Sequence, residues 1–203
     1  MNKITNNTPM QDFSLYFDLG FHHILDWNGY DHILFVIALC GIYTLKDWKK
    51  VLVLITAFTI GHSITLAFSV LNIVHFNKQI IEFLIPVTIL ITAVINILSK
   101  KTKPKSLNLK YILALAFGFI HGMGFSNYLK SLLGKSTNIV SELFAFNIGL
   151  EVGQVIIVIA TLILAFILVS IVKIRLWDWT FFLSSAIFGI SFIMAAERLP
   201  ALL

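Results

Sequence analysis

Apolar residues in this chain fall into long blocks, and polar residues collect in the short intervals between them. Six blocks are separable, approximately 20–45, 49–74, 79–99, 110–133, 142–172 and 179–197. As helices rising ~1.5 Å per residue, each is long enough to cross a hydrocarbon core of ~30 Å. The fifth is over-long, which predicts a tilt or an extension beyond the bilayer. Residues 1–19 are polar and lack the apolar stretch of a signal peptide, so the first span is expected to direct insertion itself. The pattern predicts an all-α, polytopic transmembrane helix bundle of about six spans. It has a polar extracytoplasmic N-terminal segment at 1–19 and a membrane domain at 20–203.

The first block is interrupted. FHHIL has helical periodicity, but Asp26, Asn28 and Gly29 break it before DHILFVIALCGIY resumes. Asn-Gly favours a turn with a positive-φ residue. The expectation is a broken or re-entrant first helix, with Asp31 and His32 in the first turn of its second half. Inside a bilayer such breaks are tolerated where they line a cavity or lie buried in protein, and they mark ion sites. The alternative is a span that begins at Tyr30, with FHHIL lying on the outer surface.

Composition agrees with this reading. Of 203 residues 58% are hydrophobic and 12% charged, with a mean hydropathy of +0.91, which excludes a soluble globular domain. The formal net charge of +5 comes almost entirely from lysines in the short intervals. It is a topology signal and not a nucleic-acid footprint. Ten cations (Lys46, Lys49, Lys50, Lys100, Lys101, Lys103, Lys105, Lys110, Lys173, Arg175) follow spans one, three and five. Five (Lys3, Lys78, Lys130, Lys135, Arg198) lie on the other side with both termini. The positive-inside rule then puts both termini outside the cytoplasm. Cys40 is the single cysteine, so a thiolate cluster is excluded and any metal site must use nitrogen and oxygen ligands.

Five ionisable residues lie deep in apolar blocks: Asp31, His32, His62, His121 and Glu151. A charge within lipid is costly, so such residues face a bundle interior and perform a function. Imidazole with carboxylate is the ligand set of borderline divalent metals and of proton relays. His62 alone reads equally well as a hydrogen-bonding packing residue, and the glycines around His121 are explained by helix packing. Depth argues for more. Counted from the outer end of each span, all five fall within one layer near the midplane, so four helices deliver polar groups to the same height. They are the expected metal ligands.

Residues expected to orient those ligands or line the approach are His23, Thr59, Ser63, Glu82, Asn147 and Gln154. Asn147, Glu151 and Gln154 form one stripe at i, i+4 and i+7, and Gly118/Gly122 and Gly149/Gly153 are small-xxx-small pairs. His22 is either an entry residue or solvated, His75 reads as an ordinary outer-loop residue, and Glu197 is expected to pair with Arg198.

The motifs G-F-x-H-I…G-x-D-H-I-L-F, T-A-F-T-x-G-H-S-x-T-L, H-G-x-G-F and F-N-x-G-x-E-x-G-Q, in this order from Gly20 onward, resemble the HupE/UreJ family of membrane proteins. The resemblance implies a small polytopic protein associated with nickel, and with cobalt, uptake across the inner membrane. In the best-known branch a His followed by an Asp-His pair, with a later histidine-glycine motif, is tied to transport. Position by position that implicates His23, Asp31, His32 and His121. The chain departs from that branch in a gap two residues longer between His23 and Asp31. It also departs in a later motif, HGMGF, without a second histidine and glutamate. It is similar instead to the second HupE/UreJ branch, with the TAFTxGHS and FNxGxExGQ elements.

Three functions follow from these residues. The first is a secondary permease for a divalent transition metal (nickel, cobalt or zinc), in which protonation of the ligands releases the cation. The second is an intramembrane metal-dependent hydrolase or transferase, with three histidines and a carboxylate holding zinc and a further carboxylate as general base. The third is an accessory subunit with a structural polar core. The partners implied are the lipid bilayer and the metal cation, as substrate or bound ion. Nucleic acid is not among them, and the sequence leaves a homo-oligomer or an accessory assembly open.

Overall fold

The computed structural model describes residues 9–74, 76–99, 107–133 and 138–202; His75 and most of the basic interval after residue 99 lie outside them. Among the described residues there is no strand. The elements are α1 (Pro9–Ile24), α2 (Asp31–Cys40), α3 (Trp48–Val70), α4 (Lys78–Leu98), α5 (Leu107–Leu133), α6 (Ile139–Phe166) and α7 (Leu176–Arg198). A π-helical turn, Ile167–Ile171, prolongs α6.

Local chemistry sets the helix ends. A reciprocal capping box between Thr44 and Asp47 leads the chain into α3. Asn77 caps α4 by accepting hydrogen bonds from the N–H groups of Gln79 (2.9 Å) and Ile80 (3.4 Å). Asn72 (φ 59°) and Lys173 (φ 68°) take the left-handed conformation just beyond α3 and the π turn, which prevents either helix from continuing.

Among the described residues four stretches, Leu45–Val70, Lys78–Leu98, Ile139–Ile171 and Leu176–Leu202, are long and apolar enough to cross a membrane. These four do not by themselves confirm the expected count of six. The first span is divided between α1 and the 10-residue α2. The fourth, α5, is a 27-residue helix that carries His121 and three glycines within an apolar run. The boundary expected after residue 19 falls inside α1, which runs through it unbroken.

Two helix pairs meet backbone to backbone. A Cβ on Gly61 would overlap the carbonyl of Leu115, one on Gly118 that of Phe58, and one on Gly122 that of His62. The register advances in the same direction on both helices, so α3 and α5 are parallel. In the same way Gly20 sits on Phe146 and Leu150, Gly149 on Phe17 and Phe21, and Gly153 on Ile24. These contacts make α1 parallel to α6 and dock FHHIL inside the bundle, not beside it. Without a hydrophobic drive between helices in lipid, such close approach is what gives van der Waals contact its strength. The outer faces of α6 and α7 are apolar, with Ile159, Ile163, Phe182 and Phe192 exposed.

Candidate metal centre

The break between α1 and α2 forms differently from the expectation. Among the described residues no glycine takes a positive φ, Gly29 included. The turn is made by Asp26, whose Oδ1 accepts from the N–H of Asn28 at 2.9 Å. The chain then enters α2 with Asp31 and His32 in its first turn, both buried. The interruption sets the last turn of α1, which carries His23, against the first turn of α2. The parallel, glycine-mediated contact of α3 with α5 brings His62 and His121 to the same level.

Four imidazoles converge there. The ring of His32 lies 4.7 Å from that of His23, 6.1 Å from His62 and 5.2 Å from His121, centre to centre. His23, His32 and His62 can each present a ring nitrogen such that all three lie within 4.8 Å of one another. His62 and His121 have no solvent exposure at all. Yet Nε2 of His23, His32 and His121 and both ring nitrogens of His62 are buried without a hydrogen-bond partner. A buried polar atom left unpaired costs ~1–3 kcal/mol, so five in one place require an explanation.

Neighbouring groups orient two of the rings. His32 Nδ1 lies 2.9 Å from Asp31 Oδ1, an oxygen that also accepts the His32 backbone N–H at 2.8 Å. His121 Nδ1 lies 2.9 Å from the carbonyl of Phe117. Each arrangement puts the ring proton on Nδ1 and turns the Nε2 lone pair inward, as in carboxylate- or carbonyl-oriented metal ligands. Asp31 thus acts through His32. Beneath the rings the site is closed by Phe35 and Phe58, both fully buried and 4.8 Å apart, lying 5.0 and 5.2 Å from the His121 ring.

Above them lies an open cavity of about 410 Å³ lined by His23, Asp31, His32, His121, Glu82 and Arg198, among others. A second, of about 480 Å³, is walled by His22, Trp27, Asn28 and Tyr128 and shares His23, Asp26 and Phe125 with the first. The Phe125 ring packs 3.8 Å from that of His23, at the boundary between them. Glu82 in the first turns of α4 and Arg198 at the end of α7 put this opening at the end of the bundle that carries the α3–α4 turn.

Among the sequence-derived candidates, Asp31, His32, His62 and His121 are brought together, and His23, expected to orient ligands or line the approach and implicated by the resemblance, stands among the converging rings. Glu151 does not join them. Its Oε1 accepts from Thr56 Oγ1 at 2.6 Å, and nearly two turns of α3 separate Thr56 from His62. Gln154 next to it accepts from Thr59 Oγ1 at 2.9 Å, so the polar stripe of α6 is used mainly against α3. Asn147 donates to the carbonyl of Leu143, and Ser63 to that of Thr59. Glu82 pairs with Lys78 at 3.4 Å at the cavity mouth.

Arg198 was expected to pair with Glu197. It reaches instead to Asp31 and to the Glu82 carbonyl. No spacing links it to residue 31 in the sequence.

A family model described as HupE / UreJ protein matches residues 1–197 of the chain. Neither the curated proteins nor the solved structures contain a match to it.

Proposed function

The chain belongs to the HupE/UreJ family, and from that premise we propose that it is a secondary permease for a divalent transition-metal cation of the nickel, cobalt and zinc class. Four membrane-length apolar helices and a membrane-linked family make it an integral membrane protein. The family is linked to nickel and cobalt uptake, and the imidazole cluster supplies the chemistry such a cargo needs. The observation that carries the reading is the set of ring nitrogens from α1, α2 and α3, within 4.8 Å of one another and unpaired in the protein itself.

Neutral imidazole is a good ligand for borderline metals, and a site of three such nitrogens with an open side fits a cation that must also leave. His23, His32 and His62 would bind it, His121 would offer a fourth nitrogen, and Asp31 would hold His32 in the ligating tautomer. The hydrated ion would enter through the two adjoining cavities past His22, Asp26 and Glu82. With the positive-inside orientation this mouth faces away from the cytoplasm of a bacterial inner membrane, and transport runs inward.

The test is flux of nickel, cobalt and zinc into proteoliposomes of the purified protein, with His32→Ala and His62→Ala alongside. The reading requires accumulation with wild type and its loss in both variants. A three-histidine set with an open side beside a cavity also suits a zinc hydrolase. Stoichiometric zinc that survives purification, with no flux of any metal, would establish that second reading in place of the first.

A further inference from the structure

Arg198 is a cation built into the wall of the cavity. Its Nη1 donates to the backbone carbonyl of Glu82 at 2.7 Å, and its Nη2 stands 3.7 Å from Asp31 Oδ2. The first contact has a covalent origin in α4. Pro86 has no N–H, so the carbonyl four residues before it, that of Glu82, loses its helical partner. Arg198 takes that vacated acceptor, which pins α7 to α4 and fixes the guanidinium at the edge of the histidine cluster.

The second contact is of a different kind. At 3.7 Å the guanidinium neutralises Asp31 without a short hydrogen bond to it, while Asp31 Oδ1 is already engaged by His32. The Asp31 side chain is only 11% exposed, and a lone carboxylate at that depth would be expensive. The other ionisable groups on this cavity are His23, His32 and His121, Asp26, and Glu82, whose carboxylate is held by Lys78.

We infer that Arg198 is a tethered counter-cation: it balances Asp31 while the histidine site is empty, and by repelling an incoming divalent ion it keeps that ion's affinity low enough for release. The inference rests on the permease reading above and adds to it a residue that sets how tightly the cation is held. Arg198 is a positioning and tuning residue here, not a ligand. A guanidinium within the same cavity opposes the ion by Coulomb repulsion only partly screened by water, and conduction requires binding weak enough to leave.

The experiment is titration of the purified full-length protein with nickel and zinc, combined with efflux from preloaded proteoliposomes, for wild type, R198Q and R198K. Gln removes the charge and, being two atoms shorter, also loosens the tether to the Glu82 carbonyl; Lys, also shorter, keeps the charge. The inference expects R198Q to bind roughly tenfold or more tightly and to release more slowly, with R198K near wild type. A merely structural Arg198 would give weaker binding in R198Q, and that result, or unchanged affinity, overturns the inference while leaving the permease reading intact. If wild type binds neither metal, the permease reading fails and the inference falls with it.

Discussion

His62→Phe tests whether the cluster is kept for a ligand at the expense of stability. His62 is fully buried, and neither ring nitrogen has a partner. Its ring lies 6.1 Å from those of His32 and Phe58, 6.2 Å from His23 and 6.4 Å from Phe146, so a six-membered ring finds largely aromatic surroundings. Removing two orphaned polar atoms recovers up to ~1–3 kcal/mol each. The larger ring costs about 1–3 kcal/mol in overpacking, because Gly122 holds α5 against the His62 backbone. The expected balance is a metal-free variant as stable as wild type or more stable by about 1–2 kcal/mol.

Metal reverses the order. A ligand at a hundred times its Kd stabilises the native state by about 2.7 kcal/mol, and the variant lacks one of the three converging nitrogens and gains none of this. The assay is thermal unfolding in detergent, with and without nickel or zinc, for both proteins. If His62→Phe destabilises the metal-free protein by several kcal/mol, the imidazole is a structural packing residue with partners the geometry does not show. If the variant keeps the full metal-induced shift in Tm, His62 is not a ligand. Either result refutes the reasoning.

Gly122→Ala should separate α3 from α5, since a Cβ there meets the His62 carbonyl and Thr65 Oγ1; about 1–3 kcal/mol of stability and part of the metal affinity should be lost together, read by unfolding and titration. Asp31→Asn keeps the shape beside His32 but removes the anion that holds its tautomer. Metal affinity should fall about 10–100-fold in the same titration, and an unchanged Kd would show that Asp31 does not act through His32. Glu151→Gln should leave metal binding untouched, because its carboxylate is spent on Thr56; a large loss of affinity would return Glu151 to the ligand set.

Depth, helix type and the close-packed faces were legible in the chain by itself. Position along a helix converts to height at a constant rise, so His62, His121 and the Asp31–His32 pair could be assigned to one layer without knowing how their helices pack. Small-xxx-small spacing likewise announced the glycine faces that Gly118, Gly122, Gly149 and Gly153 present, since only missing side chains let backbones touch.

Rotation about each helix axis and the pairing of distant helices were decided by tertiary packing. Glu151, placed in that layer by counting, lies against Thr56 nearly two turns of α3 from His62, because packing sets how α6 is registered against α3. His23, before the break, is turned into the cluster by an Asp26-centred turn and by the docking of α1 on α6. Arg198 meets Asp31 across 166 intervening positions because a proline in a third helix frees the carbonyl that holds it. A linear pattern records how far along a helix a group lies, whereas the direction it points and the neighbour it meets depend on side-chain packing between segments remote in the chain.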